Sequence, residues 1–402
     1  MLVVGQIAGS AALSAAVTVG AFVIQDLLGQ TTPWGGIASA TVTIGTAFMA
    51  QLLSRLMLRQ GRRVGLMAGY SMAIVGGLVA GLGVELQSLT VFLIGLFLFG
   101  NGQSANLLSR YAATDLAEPT ERGAAMSRIL FASTFGAVFG PFLIRPAEEL
   151  GKAAFGWNQY TGPWVFSGLF FLTSLINVTL RLKPDPLVVA GGLRSQQKLD
   201  VNGVASPGVK VLSFLKSSPK TRLAFYGMMI SHITMVAVMT MTPVHLRQHG
   251  HETVSAYIIS LHIAGMYAFS PFIGRFSDRN GRLNTMLVGC FVLIVSTVMS
   301  AFAGSNPIVF FPSLWLLGIG WSFGLIGASS LLVDSVPIQH RVRVQGSADV
   351  AMSLCGGLAG FSSGFIRKSF GFPWLSMLGT FVVLGLTLTL LLNIEHVVAA
   401  ES

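Results

Sequence analysis

The stretch "GRFSDRNGR", Gly274–Arg282, sets four charges (Arg275, Asp278, Arg279 and Arg282) into nine residues of a chain that is only 10% charged. Earlier by 220 residues, "SRLMLRQGRR", Ser54–Arg63, has the same glycine–arginine ending but no acid. Such a corner can cradle phosphate, carry a catalytic acid, or turn the chain tightly between buried helices. The phosphate reading fails, because there is no strand-to-helix context and no Gly-Lys-Ser/Thr. What flanks the two stretches decides the rest.

Those flanks are apolar. Of the 402 residues 52% are hydrophobic and 47 are glycine, and the mean hydropathy is +0.71. A soluble chain of this length could not hide so much apolar surface, whereas helices that span a bilayer need about 20 apolar residues each. In hydrocarbon only helices or closed barrels satisfy the backbone, and the alternation of a barrel strand is absent. The fold class is therefore an all-α polytopic membrane protein. Cys290 and Cys355 lie inside apolar runs and form no disulfide framework. The opening "MLVVGQIAGSAALSAAV" lacks a positive segment and reads as a first span rather than a cleavable signal.

Twelve spans are expected, near 2–25, 34–57, 64–84, 88–112, 124–144, 161–181, 221–244, 253–275, 284–303, 307–333, 346–366 and 373–394. The longest polar interval, Lys183–Lys220, is rich in Gly, Pro, Ser and Lys. It divides the chain into a six-helix bundle over 1–182, a linker over 183–220 and a second bundle over 221–402. With both termini cytoplasmic, 20 of the 25 Lys and Arg fall on the cytoplasmic side. The opposite side keeps Arg145, Lys152, Arg247, Arg367 and Lys368. That bias fixes the orientation by the positive-inside rule. It also explains the net charge of +10 without nucleic acid.

The halves repeat at an offset near 219. Ser54, Gly61 and Arg62 match Gly274, Gly281 and Arg282. "GNG" at 100–102 matches "GIG" at 318–320. Asp115 and Arg122 match Asp334 and Arg341, seven residues apart in each half. Parallel repeats of six spans imply an axis along the membrane normal.

With these motifs the whole chain resembles the major facilitator superfamily of secondary transporters, whose loop signature is Gly-x-x-x-Asp-Arg-x-Gly-Arg. Gly274, Asp278, Arg279, Gly281 and Arg282 fit it at every fixed position. The first copy keeps Arg59, Gly61 and Arg62 but has Ser54 and Leu58 for the glycine and acid. "GAVFGP" (Gly136, Gly140, Pro141) looks like the helix-packing element of the family's drug–proton antiporters. Leu96 stands where those antiporters carry an arginine in span 4.

The resemblance implies a conformational gate on the cytoplasmic side. Arg279 and Arg282 would pair with carboxylates, Asp334 being the repeat-symmetric partner. Asp278 would accept from the start of span 5, near Gly123–Met126, and Leu58 leaves the first half without that contact. Asp115, Arg122 and Arg341 complete the charged set. The plain alternative is a tight turn that anchors the loop in the cytoplasm.

Ionisable residues at membrane depth are functional candidates. Asp349, placed three or four residues into span 11, His232 and His262 are candidates for proton or substrate. Asp349 is otherwise a helix-start acid paired with Arg341 or Arg343, and each histidine a partner to a neighbouring helix. Gln6, Ser10 and Ser14 form a polar stripe on span 1, with Gln103 and Asn106 on span 4. The resemblance puts spans 1, 4, 7 and 10 around a central cavity, with Trp321 available to stack on a flat solute. Helix packing is the alternative for the stripe. His245, His249, His251 and Glu252 cluster outside, and read as a solvated loop rather than a metal site.

The function expected is therefore secondary active transport of a small organic solute by alternating access. Protons are the expected coupling ion, efflux the expected direction, and a monomer in a bacterial-type inner membrane the expected state. Importing a metabolite is the alternative, and a non-transporting receptor of the same fold the second. No nucleotide, cofactor or metal motif is present, and no residue set suggests an enzyme.

Overall fold

A computed structural model of the chain describes residues 2–28, 37–191 and 211–398, and all regular structure among them is helical. The first part comprises α1 (Leu2–Leu28), α2 (Ile37–Gln60), α3 (Arg62–Glu85), α4 (Leu89–Thr114), α5 (Arg122–Phe139), α6 (Ile144–Phe155) and α7 (Thr161–Arg181). Two short helices follow, α8 (Pro186–Val189) and α9 (Val211–Ser217). The rest is α10 (Pro219–Gln248), α11 (Glu252–Tyr267), α12 (Ser270–Asn280), α13 (Arg282–Phe302), α14 (Pro307–Ser335), α15 (Ile338–Phe370) and α16 (Phe372–Val398). Among the described residues ten spans are long and apolar enough to cross a membrane, one of them running over α11 and α12, and the α5–α6 pair makes an eleventh. With α1 at the front, the helices fall in the order of the twelve expected spans. Residues 29–36 and 192–210, which hold the first loop and most of the linker, lie outside the described residues.

Two expected boundaries move. The fifth span does not run straight to residue 144: α5 ends at Phe139, and α6 leaves it at 55°. Pro141 has no N–H to continue the ladder, and Gly140 before it offers little resistance to a bend. The eleventh helix begins at Ile338, eight residues before the expected 346, directly after Pro337. Hydropathy misses its polar first turns because "IQHRVR" is helical without being apolar.

The chain forms two compact units, residues 1–116 with 132–203, and residues 117–131 with 204–402. In the first, α3 packs between α4 and α7. Trp164 lies buried edge-on to Phe92 and Phe99 at 5.3 and 5.5 Å. Each such pair adds about 0.5–1.5 kcal/mol beyond the area it buries. In the second, α14 packs on α13, α11 and α10.

The repeat recurs as backbone geometry. In the first unit a side chain on Gly45 would strike the Phe97 carbonyl, and one on Gly100 would meet the Val42 carbonyl and the Thr46 nitrogen. In the second, Gly265 abuts the Trp315 carbonyl, and Gly318 abuts the His262 carbonyl and Met266 nitrogen. Small residues let helices approach to backbone contact, and so take over the packing role that the hydrophobic effect has in water. Outward, the units present Phe48, Leu82, Phe302, Phe365, Leu388 and Leu392.

Candidate gate and transport site

Glycine turns position the charged corners. Gly61 caps α3 at φ 95°, and Gly281 caps α13 at φ 87°, conformations that cost a glycine little. Each turn brings its arginine, Arg62 or Arg282, to the first position of the following helix.

In the second unit Asp278 sits at the N-terminus of α5. Its Oδ1 accepts from the Gly123 backbone N–H at 2.9 Å, and its Oδ2 from Ala124 at 2.7 Å. These are donors that a helix start leaves unpaired, and the helix dipole favours an anion there. Arg282 holds Asp278 through Nη1, Asp334 Oδ2 through Nε at 3.0 Å, and the Pro119 carbonyl through Nη2 at 2.8 Å. Arg122 Nη1 takes the other Asp334 oxygen at 2.6 Å. Gly274 makes the approach possible, because any side chain there would strike Ser127 and the Gly123 carbonyl. Residues 117–131 are thus bound into the second unit, whereas α5 from Ala132 onward belongs to the first.

Arg279 departs from its expected role: it is exposed and makes no ion pair among the described residues. Three turns of α12 bring Gly274, Ser277 and Asp278 to the packed side, and Arg279 falls on the other. Its counterpart Arg59 is likewise exposed at the end of α2.

The first unit uses the equivalent residues differently. Arg62 grips Asp115 with two bonds, Nε to Oδ2 at 2.8 Å and Nη2 to Oδ1 at 3.1 Å. Both side chains are fully buried. Another acid, Asp185, accepts from the Arg63 backbone N–H at 2.7 Å and from Leu187 at 2.9 Å, so it caps α3 and α8 together. The linker therefore starts with an anchored segment, in which Pro186 and Leu187 are buried. The signal for it was legible: an aspartate before a proline at a helix start is an N-cap pattern. Arg341 is buried in the first turn of α15.

The polar stripe of α1 is taken up by its neighbours. Gln6 donates to Ser133 on α5 at 2.9 Å and accepts from Ser109 on α4 at 2.9 Å. Ser10 is buried under Gly136, and Ser14 donates to the Ala137 carbonyl at 3.0 Å. Gly136 and Gly140 seat α5 on the α1 backbone at Ile7 and Ala11, while the Pro141 side chain lies outside the described residues. These contacts pack α1 against α4 and α5. Asn106 accepts from the Tyr70 hydroxyl at 3.0 Å and presses on Gly9. Gln103, half-buried on α4, makes no side-chain hydrogen bond among the described residues.

In the second unit His232 and Trp321 come together. The indole Nε1–H donates to His232 Nδ1 at 3.1 Å. Tyr267 meets the indole edge-on at 5.9 Å, a neighbour the sequence did not suggest. The His232 ring also packs on Gly356 of α15. Asp349 lies on that same face of α15, two turns before Gly356, fully buried. As the twelfth residue of α15 it is not a helix-start acid. His262 is fully buried and donates Nδ1–H to the Leu314 carbonyl at 2.7 Å, so it ties α11 to α14. Further along α10, His245 is buried against Phe372 rather than solvated in a loop as expected; it donates to the Gly304 carbonyl, and His249 donates to the His245 carbonyl. The Glu252 side chain lies outside the described residues.

A family model described as Major Facilitator Superfamily matches residues 2–360, with a further match over 224–400. The chain is 35% identical over 382 residues to the uncharacterized MFS-type transporter YdeG of Bacillus subtilis (strain 168), covering 94% of this chain and 87% of the relative. It is 28% identical over 321 residues to the riboflavin transporter RfnT of Brucella anthropi, covering 79% and 76%. Among solved structures, the human organic anion transporter MFSD10 (TETRAN) superposes with a TM-score of 0.75 at 15% identity, over 97% of each chain. With the helical repeat, these matches make the chain a member of the major facilitator superfamily, a multi-pass membrane transporter that carries solute and is not an enzyme.

Proposed function

We propose that the protein is a proton-coupled exporter of a small organic solute bearing a flat ring, working by alternating access. In this reading two six-helix bundles, 1–182 and 221–402, rock about a central site and are joined by the 183–220 linker. The observation that carries it is the double capping of α5 by Asp278, backed by Arg282, Arg122 and Asp334. This cluster grips one end of a helix whose other end belongs to the first unit. A grip spread over several contacts, with Arg122 15% and Asp334 29% exposed, is easier to break and remake in each cycle than the fully buried Arg62–Asp115 pair. The lysine and arginine bias supports cytoplasmic termini in an inner membrane, and puts the latch on the cytoplasmic side.

The solute class rests on the ring cluster of Trp321, Tyr267 and His232, in which an edge-on contact sits beside a hydrogen bond. The likeness to RfnT is in keeping with it. For coupling, His232 accepts the indole proton at Nδ1, so a proton arriving there removes the acceptor and releases Trp321. The "GAVFGP" element supports the export direction.

Purified protein in liposomes with an imposed pH gradient tests this, with riboflavin as the first solute and a panel of ring-bearing compounds after it. Solute movement against proton flow, abolished by collapsing the gradient, is the expected result. Movement in the same direction as protons would make the protein an importer, and solute flux indifferent to the gradient would end the coupling reading.

A further inference from the structure

The bend after α5 produces a short helix that lies outside the residues described as gate and site. Helix α6 has three distinct faces at about 100° per residue. Ala147 and Gly151 form the buried one. Gly162 of α7 lies directly under the Ala147 carbonyl, with room for no side chain, and Gly151 is covered by Trp157. The docking is fixed further on, where Glu85 of α3 accepts from the Asn158 backbone at 2.7 Å and its side chain at 3.1 Å. Helix α6 is therefore a held element rather than a loose loop.

Its other two faces differ in chemistry. Arg145, Glu149 and Lys152 line one, with Arg145 and Glu149 paired at 3.4 Å while both remain largely in solvent. Pro146, Leu150, Ala153 and Ala154 line the other, and all four are exposed. That apolar face continues a broader surface. Phe135, Val138 and Phe139 of α5 are exposed, followed by Phe142 at 73% and Leu143. Beyond α6, exposed Phe155 stacks on Trp157 at 4.5 Å. Phe135, Val138, Phe139 and Phe142 follow the i, i+3, i+4, i+7 spacing of one helical face, so one exposed apolar surface runs along α5 and turns the 55° corner with the chain.

We infer that α6 lies in the headgroup boundary of the bilayer. Its Leu150 face rests on the acyl chains, its Arg145–Lys152 face is in water, and the Phe155–Trp157 stack sits at the interface. A helix with one charged and one apolar face that is too short to span takes this position, and aromatic rings collect at the same depth. The occupant of the apolar face is phospholipid, because the face is continuous with the exposed apolar side of α5, a helix apolar enough to enter the bilayer. The four charges of α6, Arg145, Glu148, Glu149 and Lys152, cancel. The seating therefore rests on apolar burial and does not select anionic headgroups. As α5 leads directly into it, α6 fixes the depth of that end of the span.

Nitroxide labels at Leu150 and Ala154, and at Glu149 and Lys152, test the placement in full-length protein in vesicles, with Cys290 and Cys355 replaced by alanine. Collision with oxygen should exceed collision with a water-soluble nickel complex at 150 and 154, and the ratio should invert at 149 and 152. The pattern should be the same in zwitterionic vesicles and in vesicles rich in anionic lipid. Equal ratios at all four sites would overturn the inference, and so would a pattern that appears only with anionic lipid. A second measurement keeps both native cysteines: quenching by lipids brominated near the headgroup, compared between the native chain and Trp157→Phe. The component lost on substitution should be strongly quenched by shallow bromines. A component quenched only by an aqueous quencher contradicts the placement.

Discussion

Arg62 and Asp115 are joined by two hydrogen bonds, of 2.8 and 3.1 Å, with neither side chain reaching solvent. Their repeat-equivalents, Arg282 and Asp334, are joined by one, at 3.0 Å, and Asp334 is 29% exposed. The same two residue types thus serve as a sealed joint in one unit and as part of a shared, partly hydrated cluster in the other.

The difference should appear as stability. Asp115→Asn leaves the Arg62 charge buried without its counter-ion, a loss of about 3–5 kcal/mol. Replacing both, Arg62→Met with Asp115→Leu, should recover much of it, since no charge is then stranded. Asp334→Asn should cost less, because Asp334 is 29% exposed and Arg282 keeps Asp278 as a counter-ion. Thermal unfolding in detergent ranks the three. A tolerant Asp115→Asn would mean that the buried pair is not a structural joint.

The glycine contacts give a second test. Gly318→Val puts a branched side chain against the His262 carbonyl and the Met266 nitrogen, and backbone cannot move aside cheaply. Overpacking of this kind costs about 1–3 kcal/mol, so folded yield by size-exclusion chromatography should fall. Gly100→Val should behave alike, as its repeat-equivalent. Gly385 has nothing within 4 Å of where a side chain would go, so Gly385→Ala should leave yield unchanged or raise it.

The His232–Trp321 bond predicts a split between ring and proton donor. Trp321→Phe keeps an aromatic face but removes the N–H that reaches His232 at 3.1 Å. Solute affinity should fall only modestly, while the dependence of transport on pH shifts. His232→Gln, which cannot take up a proton at neutral pH, should leave residual transport that no longer responds to a pH gradient. Gradient-driven transport at wild-type level in His232→Gln would remove this residue from the coupling role.

Much of the architecture was legible because hydrocarbon demands long apolar helices, and because "GRFSDRNGR" and its degenerate copy at Ser54–Arg63 mark the repeat. Asp278 reaching the start of α5 was also legible, through the motif. Less legible was whatever depends on which face a side chain takes. The stripe Gln6, Ser10 and Ser14 has the spacing of a lining surface, and its bonds from Gln6 and Ser14 reach Ser109, Ser133 and Ala137, partners more than 90 residues away in the chain that the spacing alone does not reveal. Arg279 matches the family motif and pairs with nothing described, because α12 turns it outward. Asp185 was missed through reading a Gly- and Pro-rich linker as uniformly loose. The bend into α6 was missed because hydropathy averages across a proline.

The central claim is that the α5 grip works as a gate, and Asp278→Asn in proteoliposomes tests it most directly. The amide keeps the shape and one acceptor but loses the charge that the α5 N-terminus and Arg282 both favour. Insertion and thermal stability should stay near native, while the initial rate of solute transport falls by an order of magnitude or more, which corresponds to a barrier change of about 1.4 kcal/mol or above. Native turnover in a normally inserted Asp278→Asn protein would contradict the account, and leave the corner as a tight turn that anchors the loop.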